Sequence, residues 1–327
     1  MALLLNGDDL RPLFESTNFY PDLFQVISDS LLQQNDADPG FVSWLAFPTS
    51  HENKRINLHL STTPVEGTSV RIFPHRVGPQ ARDSMFTLIF DDQDQRLLAL
   101  ISLDEMGPMR TAAPVAFACQ YLAPPQSRVL ALIGSGLQAR YHLRALRHAL
   151  PSLERILVYS PTSQNRQRFA AEMSVEIGID VVAVDSSKLA VEGADVVVVT
   201  AASREPVLAS EDVRPGALVT SIAAWALPRE LQARARVAVP ALVGPVHHPS
   251  GWDPFPFKLN GGRDPSTIAV TLVDVLHGKQ EARQHKDDII LYEQVGSFAW
   301  DGAMTRWLYD WAIKHQVGTH FFISPTF

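Results

Sequence analysis

The sequence predicts an α/β protein that combines a doubly wound parallel sheet with a smaller α+β domain. An apolar run at residues 128–133 leads into a Gly-x-Gly-x-x-Ala turn that opens a helical stretch. Strand-like apolar runs then alternate with helical stretches, which is the pattern of a parallel sheet covered by helices. About 125 residues precede this pattern in a chain of 327 residues, so two domains are expected rather than one.

The block before the glycine-rich turn begins with a helical stretch, predicted from Leu10 to Gln34, and continues with short apolar runs. Turn residues separate these runs and predict an antiparallel sheet, with a hairpin turn at Asp91–Gln95. The predicted strands are 41–47, 56–60, 69–73, 85–90 and 97–102. A buried helix from Arg110 to Leu122 then leads into the second block.

The second block carries the alternation of strands and helices, and a final amphipathic helix follows it at Ala303–Lys314. Its predicted strands are 128–133, 155–159, 180–184, 195–200, 217–222 and 236–239. We therefore expect residues 123–298 to form the parallel-sheet domain. Residues 1–122 together with 299–327 are expected to form the other domain.

The composition is that of an ordinary globular protein, with 46% hydrophobic and 19% charged residues. A net charge of −7 and a pI near 5.9 argue against a general nucleic-acid or anionic-membrane binder. The apolar runs are strand-length and the N-terminus lacks a basic segment, so neither a membrane span nor a signal peptide is expected. Cys119 is the single cysteine, which excludes an intrachain disulfide, and a cytoplasmic location is the default expectation.

The turn between residues 134 and 139 has the form of a dinucleotide site of the Rossmann type. Gly134 permits the tight turn, and Gly136 lets the backbone approach a pyrophosphate. Ala139 is small enough for the helix to pack closely on the strand. The first N–H groups of that helix face the phosphates. The predicted cofactor-binding residues of this turn are Gly134, Ser135, Gly136, Leu137, Gln138 and Ala139.

The residues after the second strand of this domain bear on the choice of cofactor. An NAD-binding site places an acidic residue there for the ribose 2′-hydroxyl, but the segment from Ser160 to Arg168 contains no acid. Ser160, Thr162 and Arg166 offer hydroxyl and guanidinium groups that suit a 2′-phosphate, so NADP(H) is favoured over NAD(H). The alternative is that these residues only cap and solvate a helix.

Several motifs occur together in an order that resembles the ornithine cyclodeaminase/mu-crystallin family, over roughly residues 60 to 320. They are Met109-Arg-Thr-Ala-Ala113, the turn at 134–139, Val199-Thr-Ala-Ala-Ser203 with Pro206-Val-Leu208, Arg229-Glu-Leu231, and Gly296 with Asp301. The resemblance implies a Rossmann domain and a substrate-binding and dimerisation domain, built from the N-terminal block and the C-terminal helix, and hence a homodimer. Family members include cyclodeaminases, ketimine and pyrroline-carboxylate reductases, alanine dehydrogenases and a synthase of diaminopropionate.

The resemblance also implies roles for individual residues. Arg110 matches the arginine that holds the substrate α-carboxylate, a role that suits a permanently charged, bidentate guanidinium. By spacing, Arg71 falls where the family has a catalytic lysine, and Trp225 where it has a catalytic aspartate. Asp301 matches a position near the nicotinamide. Further cofactor contacts are implied for Thr111, Thr200, Ala201 and Ser203.

The two replaced positions favour some reactions of the family over others. Arginine is a poor proton shuttle and tryptophan cannot act as a base, so a cyclodeamination that moves protons at several steps is disfavoured. Reduction of a preformed iminium needs mainly that the C=N bond be held against the nicotinamide. Arg71, Asp301 and His75 are therefore the candidate catalytic residues, and Arg110, Arg71 and Trp225 the candidate substrate-binding residues. His51 is a further source of an acid or base.

The leading hypothesis is an NAD(P)H-dependent oxidoreductase that acts on the C–N bond of a small, carboxylate-bearing imino or amino acid. One alternative is a cyclodeaminase-type lyase or a synthase of a diaminopropionate precursor. A second is a non-catalytic, nucleotide-dependent ligand-binding protein of the mu-crystallin type. No metal site is expected, because His247 and His248 lie in a proline-rich loop without further ligands at suitable spacing.

Overall fold

A computed structural model describes residues 1–33, 41–48, 50, 55–63, 67–74, 85–102, 106–242, 264–294 and 299–322. The chain divides into two compact units. The first comprises residues 1–110, 243–259 and 297–327, and the second comprises 111–242 and 260–296. The division therefore falls inside a helix, between Arg110 and Thr111, whereas the sequence placed it at the end of that helix.

The strands in chain order are β1 Ala2–Leu5, β2 Phe41–Pro48, β3 Arg55–Thr63, β4 Gly67–Pro74, β5 Phe86–Phe90, β6 Leu97–Ser102, β7 Val129–Ile133, β8 Arg155–Tyr159, β9 Asp180–Ala183, β10 Val196–Val199, β11 Leu218–Ser221, β12 Arg236–Val239, β13 Val270–Thr271, β14 Ile290–Tyr292 and β15 Thr319–Phe321. The α-helices are α1 Gly7–Phe14, α2 Phe19–Gln33, α3 Met106–Leu122, α4 Leu137–Ala149, α5 Ser163–Ile177, α6 Ser187–Val191, α7 Arg229–Arg234, α8 Leu272–Leu276 and α9 Ala299–His315.

The first unit contains a sheet with the strand order β15-β1-β6-β5-β4-β3-β2. Strands β2 to β6 pair antiparallel with their neighbours, as the sequence predicted. The sequence did not predict β1 and β15, and β1 pairs parallel with β6. Two helices, α1 and α2, occupy the helical stretch predicted from Leu10 to Gln34. Between them the Ser16 hydroxyl accepts a hydrogen bond from the Asn18 N–H, a local turn that competes with the helical ladder.

Helix α9 packs on one face of this sheet, against β3, β4 and β5, and also contacts α2. The Trp307 and Phe19 rings lie 5.8 Å apart between the two helices. The sheet face beneath α9 is buried but polar, since Asn57, Ser61, Ser69, Arg71 and Thr87 are all less than a tenth exposed. This inward polar face is the structural basis of the candidate site.

The second unit contains a parallel sheet with the strand order β13-β12-β14-β11-β10-β7-β8-β9. Strand β7 lies between β8 and β10, so the chain turns in opposite directions on its two sides, as in a doubly wound fold. The predicted Rossmann sheet is thus confirmed, with β14 inserted between β11 and β12. The central strand β10 consists of four fully buried valines, and its neighbours β7 and β11 each have a single half-buried residue, as central parallel strands do.

In the part of the chain that the structure describes, no helix has both the length and the apolar character needed to cross a membrane.

Candidate functional site

The second unit places the glycine-rich turn at the carboxyl ends of its central strands. Gly134 has φ +120°, and a Cβ there would lie 2.5 Å from Thr200 Oγ1 and 3.2 Å from the Ala201 N. Because a side chain would clash with the loop after β10, this position requires glycine. The sequence assigned Thr200 and Ala201 to the same site, and the structure brings them to this turn.

Gly136 serves a different purpose in the same turn. It is the N-cap of α4, with φ −92° and ψ −166°, a conformation open to any residue. Among the described residues, none lies within 4 Å of the position a Cβ would take. Since glycine has no side chain to cap the helix, the first N–H groups of α4 remain open to an anion. This cradle fits the pyrophosphate of a dinucleotide.

The turn is also tied to the end of the next strand. The Ser135 and Ser160 hydroxyl oxygens lie 2.8 Å apart, and the Gly134 N–H donates to the Tyr159 carbonyl at 2.8 Å. Ala139 is fully buried behind the turn, whereas Leu137 is exposed. The Gln138 Oε1 is buried with no hydrogen-bond partner among the described residues. Thr162 is the N-cap of α5, and the Ser203 hydroxyl donates to the Glu205 carbonyl at 2.7 Å.

Arg166 is placed differently from the expectation that it offers a free guanidinium. Its side chain is buried, and Nη1 donates to the Ser160 carbonyl at 3.1 Å and, at 3.4 Å, to the carbonyl of Pro161. Nη2 pairs with Asp185 Oδ1 at 2.5 Å. The guanidinium therefore lies beneath the turn after β8 and is already paired.

The first unit contains a pocket of about 410 Å³ of empty space, including the part open to solvent. Two rows of paired residues on the inward sheet face form its base, one of them His59, Arg71 and Thr87 and the other Ser61 and Ser69. Asp301, Met304, Thr305 and Leu308 from α9, with Met106 and Arg110 from α3, complete the lining.

Three charged side chains meet in this pocket. Asp301 Oδ2 lies 2.7 Å from Arg71 Nη1, and Asp301 Oδ1 lies 3.5 Å from Arg110 Nη1. The side chains of Arg71 and Asp301 are 5% and 10% exposed, whereas that of Arg110 is 24% exposed. Among the described residues that line the pocket, two arginines face one carboxylate, which leaves one excess positive charge, and Arg110 is the more accessible of the two cations.

His59 joins this group through Arg71, whose Nη2 donates to His59 Nδ1. Burial, together with the charges of Arg71 and Arg110, lowers the pKa of His59 to about 2, so the ring is neutral and its proton sits on Nε2. Burial, together with the charge of Arg110, lowers the pKa of Arg71 to about 9, although Asp301 raises it. Arg71 is thus a cation at neutral pH.

The structure brings together Arg71, Arg110 and Asp301, which the sequence selected. Trp225 belongs to the other unit, where it lies in a short 3-10 helix after β11 and is 62% exposed. His75, His51, His247 and His248 lie outside the described residues. Sequence reasoning missed His59, although pairing of the predicted strands 56–60 and 69–73 would have placed it beside Arg71.

Comparison with known proteins decides the family. The model of the ornithine cyclodeaminase/mu-crystallin family matches residues 75–316. The chain belongs to this family.

Relatives within the family include reductases. The ketimine reductase mu-crystallin of Rattus norvegicus is 34% identical over 137 residues, which is 42% of this chain and 42% of the relative. The match to such mu-crystallins therefore spans less than half of their length. The Delta(1)-pyrroline-2-carboxylate reductase of Paracoccus denitrificans is 31% identical over 214 residues, or 64% of this chain and 67% of that relative.

A solved family structure extends the likeness to nearly the whole chain. It is a Delta(1)-pyrroline-2-carboxylate reductase of Thermococcus litoralis in complex with NADH and L-proline. The TM-score is 0.82 at 25% identity, with 98% of this chain and 100% of that chain covered. The α/β fold with its Rossmann sheet is therefore that of the family.

Proposed function

We propose that this protein reduces the C=N bond of a small imino acid that carries a carboxylate, with a nicotinamide dinucleotide as hydride donor. The observation that carries the proposal is the pocket of Arg71, Arg110 and Asp301, with its one excess positive charge. Reductases of pyrroline-2-carboxylate and of ketimines among the family relatives support the same reaction class. The glycine cradle of the Rossmann unit supports the dinucleotide.

The pocket residues have different roles in substrate binding. Arg110 is the accessible cation and takes the substrate carboxylate through paired N–H donors. Arg71 remains paired with Asp301 and supplies a fixed positive charge rather than a proton. Asp301 holds both guanidinium groups in place. Met106, Met304 and Leu308 accommodate an apolar side chain or ring.

This division explains how the reaction proceeds without the lysine and aspartate of the family pattern. A bound nicotinamide supplies the hydride. An iminium substrate already carries its proton on nitrogen, so the pocket has to orient and stabilise it rather than transfer a proton. Trp225 stands where the family resemblance implies a carboxylate, and an indole ring cannot act as a base.

We assign NADPH as the preferred dinucleotide. Ser160 to Thr162 contain no carboxylate to accept the ribose 2′-hydroxyl, and the Ser135 and Ser160 hydroxyls lie at this turn. The Arg166 guanidinium lies directly beneath Ser160, where Asp185 pairs with it. Thr111, Thr162, Thr200 and Ser203 are assigned to contacts with the remainder of the dinucleotide.

We further propose that the protein works as a homodimer. The outward face of strands β3 to β6 carries a continuous apolar row, formed by Leu60, Val70, Leu88 and Leu100. All four are only half-buried, whereas the inward face beneath α9 is polar and buried. This inverted polarity favours a second copy of the chain as cover for the outward face.

A turnover assay tests the proposed reaction. NADPH is mixed with the purified protein and Δ1-pyrroline-2-carboxylate, or the six-membered homologue, and the loss of reduced nicotinamide is followed. We expect saturable turnover with one of the cyclic imines. Ammonia release from ornithine without imine reduction would assign a lyase instead, and tight NADPH binding without turnover on any imine would assign a non-catalytic binding protein.

A further inference from the structure

Strand β9 supplies an acidic residue to the turn that lacks one of its own. Asp185 follows β9, the parallel neighbour of β8, so the carboxyl ends of both strands lie at the same edge of the sheet. The Val184 N–H donates to the Val158 carbonyl at 3.0 Å, which fixes the chain just before Asp185. The Asp185 side chain is 86% exposed, so its carboxylate reaches solvent at this edge.

Asp185 is paired with an arginine that has no other charged partner in the described residues. Arg166 is 9% exposed, and its Nη2 lies 2.5 Å from Asp185 Oδ1. The second terminal nitrogen of the guanidinium, Nη1, donates to the Ser160 and Pro161 carbonyls. The guanidinium carbon lies 5.8 Å from the centre of the Tyr159 ring. These contacts hold the guanidinium under the turn in one orientation.

The location of this pair relates it to the dinucleotide. Ser160 is hydrogen-bonded to Ser135 of the glycine-rich turn, and Arg166 donates to the carbonyl of that same Ser160. In a Rossmann unit, the residue after the second strand is where the adenosine ribose is read. The Arg166–Asp185 pair therefore lies directly below the point at which a 2′-phosphate distinguishes NADPH from NADH.

We infer that Asp185 is a determinant of nucleotide choice that acts through Arg166. The carboxylate neutralises the Arg166 guanidinium under the turn, so a 2′-phosphate meets a neutral pair rather than a free cation. The affinity for NADPH is therefore lower than it would be with an unpaired Arg166. The affinity for NADH, which lacks the phosphate, does not depend on the pair. The inference rests on the nucleotide site of the proposed function and identifies its regulating residue.

Removal of the charge at constant shape tests the inference. An Asp185→Asn side chain can still accept a hydrogen bond from Arg166, so the guanidinium stays in place while its counter-charge is lost. We expect the Kd for NADPH, measured from the fluorescence of the bound nucleotide, to fall about fivefold or more. The Kd for NADH is expected to stay within about twofold.

Two further variants isolate the mechanism. Asp180→Asn removes the same charge from the opposite end of β9 and should leave both Kd values unchanged. Arg166→Gln should weaken NADPH binding selectively, because it leaves the Asp185 carboxylate unpaired at this turn, and Asp185→Asn added to it should bring the Kd for NADPH back toward that of the unmodified protein. The inference is overturned if Arg166→Gln leaves the Kd for NADPH unchanged, if Asp180→Asn matches the Asp185→Asn gain, or if the ratio of the two Kd values does not move.

The result also separates this inference from the proposed reaction. If the variants behave as expected and no imine is reduced, only the reductase assignment fails. If the unmodified protein binds neither dinucleotide, both proposals are refuted.

Discussion

A buried group of three side chains is held together by ion-pair and hydrogen-bond contacts through Arg71. The other two members are Asp301 and His59. Arg71 bridges the two, with Asp301 on one nitrogen and His59 on another. Neither oxygen of Asp301 accepts a well-aligned hydrogen bond from a described residue, so the ion pairs with Arg71 and Arg110 are its main compensation. Removing Arg71 would leave a carboxylate buried with one distant partner.

Arg71→Met is therefore expected to lower the free energy of unfolding by about 3 kcal/mol, because it leaves the buried Asp301 carboxylate without its nearest cationic partner. Urea denaturation measures the loss. A double variant with Asp301→Leu should cost less than Arg71→Met alone, since both charges are then gone. The matched control, Arg306→Met, breaks an exposed pair with Asp310 on the same helix and should cost less than about 1 kcal/mol. A double variant that is less stable than the single one would contradict this account of the group.

The glycine-rich turn contains one glycine that the fold requires and one that we expect to be required only for nucleotide binding. Gly134 is required by the backbone, since its φ is +120° and a Cβ would meet Thr200. Gly136 is not required by the fold, because the described residues leave its Cβ position open. If that open space is the approach to a pyrophosphate, the two positions should respond to substitution in opposite ways.

Gly136→Ala should leave the unfolding free energy within about 1 kcal/mol of the unmodified protein but raise the Kd for the dinucleotide about tenfold or more, because the methyl group fills the phosphate approach. Gly134→Ala should destabilise the protein by about 2 kcal/mol or more through backbone strain and the clash with Thr200. Thermal unfolding and fluorescence titration of both variants measure the contrast. Unchanged nucleotide binding by Gly136→Ala would remove the pyrophosphate from this turn.

The sequence predicted the strands and turns that a local residue pattern specifies. It missed those that form only through pairing with residues far away along the chain. The valine-rich strands of the parallel sheet and the turn after β7 were found from composition and spacing alone. Strands β1 and β15 are short, and they exist because β1 pairs with β6, far away along the chain. Arg166 was selected for the right turn, but its position within α5 directs the guanidinium to carbonyls and Asp185, a contact that no local pattern encodes.

At the scale of the whole molecule, the first question is assembly. Light scattering at micromolar concentration should give about twice the chain mass of 36.1 kDa, because the apolar row on β3 to β6 needs cover. Leu88→Glu, in the middle of that row, should yield a monomer. Val175→Glu places the same charge at an exposed apolar position on α5 and should remain a dimer. A dimer that survives Leu88→Glu would place the interface elsewhere.

Global stability should also fall in acid for an identifiable reason. Burial lowers the pKa of His142 to about 4 and that of His59 to about 2, from a usual value of 6.5. Between pH 6.5 and 4 both histidines bind protons in the unfolded chain but remain neutral in the folded protein. The stabilisation is complete above pH 6.5, and each histidine removes about 1.4 kcal/mol per pH unit as the pH falls through this window.

His142→Leu isolates one of these contributions, because its Nε2 is buried without a hydrogen-bond partner in the described residues. Chemical denaturation at a series of pH values should show a shallower loss between pH 6.5 and 4 for this variant. His277→Leu is the control, since the exposed His277 makes the same contact with the carbonyl four residues earlier. An unchanged slope in His142→Leu would refute the neutral buried state of that ring.

The most direct test of the central claim follows the hydride itself. The unmodified protein and Arg110→Ala are given NADPH that carries deuterium at the transferred position, together with Δ1-pyrroline-2-carboxylate, and the amino-acid product is analysed by mass spectrometry. We predict one deuterium on the former imine carbon of proline. Arg110→Ala should lose about 3 kcal/mol of transition-state stabilisation, a decrease in kcat/KM on the order of a hundredfold, with NADPH binding intact. Absence of deuterium from the product, or an undiminished kcat/KM in Arg110→Ala, would contradict the account.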